Sequence, residues 1–360
     1  MRVLITTPNL KAVGGVSKYF DSLSLDSHQN IDYFNVQGSN SGNSLVKLIL
    51  TIRQFFIFTF FVRNYEVVHI NPSLNFRSIL RDGLYALVAK LFRKKLVIFF
   101  HGWEDEFEDR LLKNVLSKKL FLFAFNNAKL YILLGKTFRL KLIGLGVDVS
   151  NYVIETTVAD NQFINDFDVE TKFKNQLKGK KLTIGFMSRI VEEKGILIAL
   201  DSVKKFKNAN PDFPFEFQVA GDGEALMKAK EFAKENELQE VKFLGVLGGK
   251  AKVDFLEQQD ICLFPTYYGE GLPLTILEAM LYGAVIISRR NAGIPDQVLE
   301  GENGFLTEST SSTVFSKILE TVAYDFSLRT RIGNNNYIKA INNYTNEEIS
   351  SRVLKLYDSL

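Results

Sequence analysis

Apolar runs of strand length recur along the chain and alternate with stretches of helical period. Val3–Thr6, Val67–Ile70, Leu96–Phe100 and Leu130–Leu134 form one series. Leu182–Met187, Phe215–Ala220, Val241–Leu244, Ile261–Phe264 and Val285–Ser288 form a second. Their near-continuous hydrophobicity fits parallel strands buried on both faces. Helical spacing fills the gaps, as at Arg77–Arg93, Lys136–Leu145, Lys194–Lys207 and Ala225–Glu237. The alternation predicts an α/β fold with parallel sheets. The polar stretch 160–181 has little strand pattern and is read as the boundary between two similar α/β halves. Two such halves predict a cleft between them, with ligands held at the carboxyl ends of the strands.

At 360 residues the chain exceeds what one core usually holds, which also favours two domains. Composition is ordinary, 46% hydrophobic and 24% charged, and excludes a disordered or collagen-like chain. The net charge of +3 argues against a dedicated nucleic-acid binder. A single cysteine, Cys262, fits a reducing compartment, so a cytoplasmic protein is expected. The segment Leu45 to Val62 is the greasiest, but Lys47, Arg53 and Gln54 interrupt it. It is read as a helix that does not span a bilayer. The opening MRVLITTPNL lacks a run of signal-peptide length.

The halves differ in charge. Residues 1–165 carry 20 Lys and Arg against 13 Asp and Glu, a net +7, and the remainder carries −4. Basic stretches at Lys90–Lys95 and Lys113–Lys119 suit either a solvated surface or a peripheral encounter with an anionic membrane face.

Candidate chemistry gathers at strand ends. Gly269-Glu270-Gly271-Leu272-Pro273-Leu274-Thr275 follows the strand Ile261–Phe264 and enters a helix at about Pro273, a position that tolerates proline. The N–H groups of Leu274 and Thr275 should then face an anion. Glu270 precedes that start and Glu278 lies inside the helix on a similar face to Thr275. Two carboxylates around a helix start suit a ligand with hydroxyls at both ends and phosphate in the middle, such as a nucleotide sugar. They equally suit a loop cap and a solvated helix residue.

Arg189 and Lys194 follow the strand Leu182–Met187 and match a diphosphate, or else pair with Glu192 and Glu193. Gly221-Asp222-Gly223 is a strand-to-turn element without the third glycine of a dinucleotide fingerprint. His101 stands at the tip of Leu96–Phe100, where a structural role is the plainer reading, and His69 is read as structural. Gly14 and Gly15 follow the first strand and permit close backbone approach to a ligand, or simply a turn.

Glu270 and Glu278 form Glu-x7-Glu within EGLPLTILEAMLYGAVIIS, preceded by GFMSRIVEEKG and VAGDGEAL. With these motifs in this order, nearly the whole chain resembles a retaining glycosyltransferase of family 4, of the GT-B type. The resemblance implies two Rossmann-like, doubly wound domains facing a central cleft. They would comprise an acceptor domain over 1–165 and a donor domain over 166–340. A helix over 341–360 would pack back on the first.

It further implies a nucleoside-diphosphate sugar as co-substrate, UDP- or GDP-linked, with no other cofactor and no metal. Arg189 and Lys194 would bind the diphosphate, and Glu270 hydroxyls of the sugar. Gly271, Leu272, Pro273, Leu274 and Thr275 would cradle sugar and phosphate, and Glu278 would bind the ribose. Gly221, Asp222, Gly223 and Leu244 would line the base site. His101 would face the reacting sugar, and Gly14 and Gly15 the phosphates or acceptor. The acceptor would be a glycan or a lipid-linked hydroxyl, in a setting such as bacterial polysaccharide assembly.

The chain departs from that pattern near 156–157, where Thr156-Thr157 stands in place of the usual Asn-Gly. Asp166-Phe167-Asp168 mimics a metal-binding Asp-x-Asp but lies in the polar boundary with no strand before it. Rival readings are a sugar-nucleotide isomerase of the same fold and a non-catalytic subunit that binds a nucleotide sugar.

Overall fold

The computed structural model describes residues 1–11, 14–36, 44–162, 164–177, 181–269 and 271–360, with side chains at all of these except 44–48. The chain forms two compact units. One comprises Met1–Val158 with Asn346–Leu360, and the other Ala159–Thr345.

The first unit holds strands β1 (Val3–Thr7), β2 (Ile31–Asn35), β3 (Val67–Ile70), β4 (Ser73–Leu74), β5 (Lys95–Phe100), β6 (Gly102–Trp103), β7 (Leu130–Leu133) and β8 (Tyr152–Ile154). Six of them make a parallel sheet in the order β2-β1-β3-β5-β7-β8, and β4 pairs with β6 in a separate ribbon. The second unit holds β9 (Leu182–Met187), β10 (Phe215–Ala220), β11 (Val241–Gly245), β12 (Ile261–Phe264), β13 (Val285–Arg289) and β14 (Gly304–Thr307). These form a parallel sheet in the order β11-β10-β9-β12-β13-β14. Each sheet is doubly wound, because the winding direction reverses part-way along it.

Apart from β11, which lies at a sheet edge and is half-buried to exposed throughout, the strands with continuous apolar runs lie inside their sheets. β1, β3, β7 and β12 are buried at every position, as parallel strands covered on both faces must be. The sequence pattern passes over β2 and β14. Both are edge strands buried at only two positions each, so neither carries a continuous apolar run.

The boundary falls at 158/159 rather than at 165/166. The Ala159 N–H donates to the Tyr344 carbonyl at 2.9 Å, which ties this segment to the last helix of the second unit. The helix Phe326–Asn343 stays with the second unit, and the return to the first begins at Asn346 rather than at 341. The helix Asn346–Asp358 then packs on the helix Gly15–Leu23. There Arg352 grips Glu155 with two bonds, Nε to Oε2 at 3.0 Å and Nη2 to Oε1 at 2.6 Å. Glu155 is buried, so this bidentate pair fastens the C-terminal helix with geometry as well as charge.

The expected helix from Lys194 also shifts. Glu192–Lys194 is a 3₁₀ turn, Gly195 adopts a left-handed φ of 85°, and the α-helix runs over Ile196–Ala209. The greasy segment is the helix Ser44–Phe61. Among the described residues, no helix is long and apolar enough to cross a membrane.

Candidate functional site

In the second sheet the winding reverses between β9 and β12. These two strands pair only at Ile184 with Ile261 and at Gly185 with Cys262. Beyond that the two strands are not paired, and their carboxyl ends mark the switch point of the sheet. This is where an open α/β sheet binds its ligands.

Arg189 leaves the end of β9, and Lys194 ends the 3₁₀ turn that follows. Both reach the ring of Tyr268, in the loop after β12. Lys194 Nζ lies 4.6 Å from its centroid and the Arg189 guanidinium 5.8 Å, with Arg189 Nη2 3.4 Å from the Tyr268 hydroxyl. The ring holds two cations close together, as an aromatic face does. Glu192 pairs instead with Lys228, at 2.7 Å. Arg189, Val191, Glu193, Gly223, Glu224 and Tyr268 line a cavity of about 310 Å³.

The loops around this cavity are joined through their backbones. The N–H groups of Ser188, Ile190, Gly221 and Tyr267 donate to the carbonyls of Ala220, Asp222, Gly245 and Glu193. Gly221 sits at φ 131°, and a Cβ there would stand 1.8 Å from the Ser188 carbonyl oxygen. Only glycine lets the turn after β10 approach β9 so closely. Asp222 is exposed, and its carboxylate accepts from the Gly223 N–H at 2.8 Å. Leu244, at the end of β11, is partly exposed.

The loop after β12 enters the helix Leu274–Leu281 with Pro273 as N-cap and no side chain capping it. Among the described residues, the Ile276 N–H donates to the Pro273 carbonyl at 3.1 Å, and the Leu274 and Thr275 N–H groups are left to meet an anion. Gly271, Leu272 and Pro273 are buried, while Leu274 and Thr275 are half-buried. Glu270 lies outside the described residues.

Glu278 is not a solvated helix residue. It is 3% exposed, and its Oε1 accepts from Lys252 Nζ at 2.6 Å. Lys252 also lies 3.6 Å from Asp160. Arg189 and Gly223 share the cavity; neither Lys194 nor Glu278 is among its described lining residues.

In the first unit, His101 Nε2 stands 2.9 Å from Asn71 Oδ1, and the Asn71 amide donates to the Thr6 carbonyl. Asn71 therefore presents an acceptor, the ring donates through Nε2, and Nδ1 is left as an acceptor. Burial pushes the His101 imidazolium down to about 3, so the ring is neutral. His69 is 1% exposed and bonds the Tyr357 hydroxyl through Nδ1 at 2.5 Å. Gly14 is the extended N-cap of the helix Gly15–Leu23, and a Cβ on Gly15 would meet nothing within 4 Å. Neither glycine is demanded by a turn.

Asp168 caps the helix Val169–Leu177 by accepting from the N–H groups of Glu170 and Thr171, both at 3.1 Å. Among the described residues, no cluster fit to hold a metal ion is found.

Sequence reasoning passed over Tyr268 and Lys252. Tyr268 carried a signal, an aromatic pair directly before Gly269. Lys252 carried none, because its partner lies 26 residues away on another helix.

The fold is of the GT-B type. Residues 168–339 match the family model of glycosyl transferases group 1. Among curated proteins, the chain is 26% identical over 261 residues to a 2-deoxystreptamine N-acetyl-D-glucosaminyltransferase of Niallia circulans, covering 68% of this chain and 64% of that protein. It is 24% identical over 236 residues to the amylovoran biosynthesis glycosyltransferase AmsK of Erwinia amylovora, covering 64% and 55%. The alignments with the first three curated relatives span 40%, 55% and 64% of their lengths. Anabaena HepE, solved in complex with UDP, superposes with a TM-score of 0.76 at 16% identity, covering all of both chains. Sucrose-phosphate synthase of Thermosynechococcus elongatus does so at 0.73 and 15%, covering 100% of this chain and 98% of that one.

Proposed function

We propose that the protein is a glycosyltransferase that moves a hexose-type sugar from a nucleoside-diphosphate donor to a hydroxyl of a glycan or lipid-linked acceptor, with retention of configuration. The observation that carries this reading is the convergence of Arg189 and Lys194 on Tyr268, in the loop that leads into the uncapped start of Leu274–Leu281. Two cations and a row of backbone N–H groups suit a leaving diphosphate. Such preorganised charge stabilises the transition state more than the ground state. With that charge met by side chains and backbone, the reading needs no bound metal ion and no cofactor beyond the sugar nucleotide.

In this reading Glu278, steered by Lys252, takes the ribose hydroxyls, and Glu270 takes hydroxyls of the sugar. Gly221 to Gly223 and Leu244 line the base site. The leaving diphosphate departs as the acceptor hydroxyl attacks the anomeric carbon from the same face. His101, Gly14 and Gly15 are assigned to the reacting sugar and to the phosphates or acceptor. Work in polysaccharide assembly at the cytoplasmic face of a membrane is supported by relatives such as AmsK and by the basic, apolar surface of the first unit. The isomerase reading would release a rearranged donor without acceptor.

The test is thermal shift against UDP-, GDP-, ADP- and CMP-sugars. A donor at a hundred times its Kd stabilises a fold by about 2.7 kcal/mol. A raised melting temperature with one donor family and none with the others supports the reading. No shift with any of them overturns it.

A further inference from the structure

A further cavity lies in the first unit, away from the residues of the candidate site. It is a groove of about 740 Å³ between the helices Phe76–Leu91, Asp105–Lys113 and Val115–Phe125. Phe76, Leu80 and Leu84 recur every fourth residue along one wall, and Leu120 and Phe123 stand on the other. All five are exposed, by 46% to 69%, although their spacing is that of a core-facing stripe. Phe107, Leu111 and Phe121 are buried behind them.

The two walls are tied together at one end. Lys90, in the last turn of Phe76–Leu91, donates to the carbonyls of Phe123 and Asn126 at 2.8 and 2.7 Å. It satisfies carbonyls at the C-terminal end of Val115–Phe125 and fixes that end against Phe76–Leu91.

Charge enters at one place. Among the described lining residues the charged ones are Arg110 and Lys113, both cations, beside Asn114 and Ser117. Arg110 is 3.6 Å from Glu106, an exposed pair on the same helix that solvent weakens. Lys118 and Lys119 follow on the next helix. The residues between these cations, Leu112, Val115 and Leu116, are themselves exposed.

We infer that this groove binds the hydrocarbon chain of an anionic lipid, with the headgroup phosphate at Arg110 and Lys113. The volume lies in the usual range for a small-molecule site, about 300–1,000 Å³. An apolar trough with a cationic mouth matches a chain with a charged end, whereas a neutral partner helix would offer Arg110 and Lys113 no opposite charge. The inference deepens the transfer reading by giving the acceptor hydroxyl an anionic lipid anchor, and rests on that reading only for this last step.

The experiment is calorimetric titration of the full chain with dodecyl phosphate below its micelle concentration. Inorganic phosphate and dodecyl maltoside serve as companion probes. Saturable one-to-one binding of dodecyl phosphate, and none of inorganic phosphate, is expected. Leu84→Asp and Leu120→Asp each place a carboxylate at an already exposed position, and each should weaken binding by about tenfold or more. Arg110→Ala with Lys113→Ala should weaken dodecyl phosphate by about fivefold and leave dodecyl maltoside unchanged.

The absence of saturable binding overturns the inference. So does affinity unchanged in both aspartate variants, or a dimer by light scattering that either variant disperses. Thermal shift with nucleotide sugars on the same samples separates the two readings. A chain that keeps its donor shift but ignores the lipid loses the groove alone. One that binds the lipid but no donor loses the transfer reading alone.

Discussion

Lys252 Nζ stands 2.6 Å from Glu278 Oε1, and the two side chains are 13% and 3% exposed. The contact joins the helix Gly249–Gln258 to the helix Leu274–Leu281. Removing one partner of a buried pair strands the other charge, at a cost of about 3–5 kcal/mol, whereas replacing both with apolar groups is often neutral. Lys252→Met should therefore lower unfolding stability by several kcal/mol, and Lys252→Met with Glu278→Leu should recover most of it. Denaturant melts read the stability. The double variant should still lose donor binding in thermal shift. Retained donor affinity would detach Glu278 from the ligand.

Losing a preorganised charge at a leaving group typically costs about 3 kcal/mol of barrier, some hundredfold in rate. Arg189→Ala and Lys194→Ala should each cut turnover by about tenfold or more. Their stability should change little, since Arg189 is exposed and Lys194 only half-buried. Sugar transfer assayed with the donor found by thermal shift measures it. Near-normal rates in both variants would refute the diphosphate assignment.

Gly221→Ala offers a test of the loop geometry. The new Cβ would meet the Ser188 carbonyl oxygen at 1.8 Å, and φ 131° disfavours any L side chain. The turn must shift, at a cost of about 1–3 kcal/mol. We expect a lower melting temperature together with weaker donor binding. An unchanged melt would show that this turn is not tightly constrained.

The buried histidines make stability depend on pH. Burial pushes the His69 imidazolium down to about 3, against about 6.5 when unfolded. Below 6.5 the unfolded chain binds the extra proton, so folding loses stability as pH falls. The stabilisation is complete above about pH 6.5 and drains by about 1.4 kcal/mol per pH unit down to about pH 3. His101 shifts the same way but is only half-buried by exposure, so its share should be smaller. Melts from pH 7.5 to 5 should show this slope, and His69→Phe should flatten it. A slope unchanged in that variant would place the effect elsewhere.

Glu155→Gln weakens the grip of Arg352 on the C-terminal helix. Hydrogen exchange over 346–358 should then speed up well ahead of exchange in β3 and β5, because local opening follows the few contacts that hold a peripheral element. Uniform exchange across the first unit would show that the helix is held by packing alone.

The interior strands were legible because a parallel strand covered on both faces must be apolar throughout, as Ile261–Phe264 is. Ile31–Asn35 and Gly304–Thr307 escaped notice because a sheet edge needs only half that pattern. The helix start at Leu274 and the cations Arg189 and Lys194 could be located from local spacing, since each follows a strand within a few residues. Tyr268 as their common neighbour, and Lys252 as the partner of Glu278, could not. Chain order says nothing about which helix packs beside which.

Which segments are strands or helices, and which residues stand at strand ends, follows from the local alternation of apolar and polar positions. That alternation reflects burial, and burial has a period. The return of Asn346–Leu360 to the first unit, the Arg352–Glu155 clamp and the groove beside Leu84 arise from contacts across large sequence distances. Such contacts depend on how whole elements pack, and no short window of sequence encodes that.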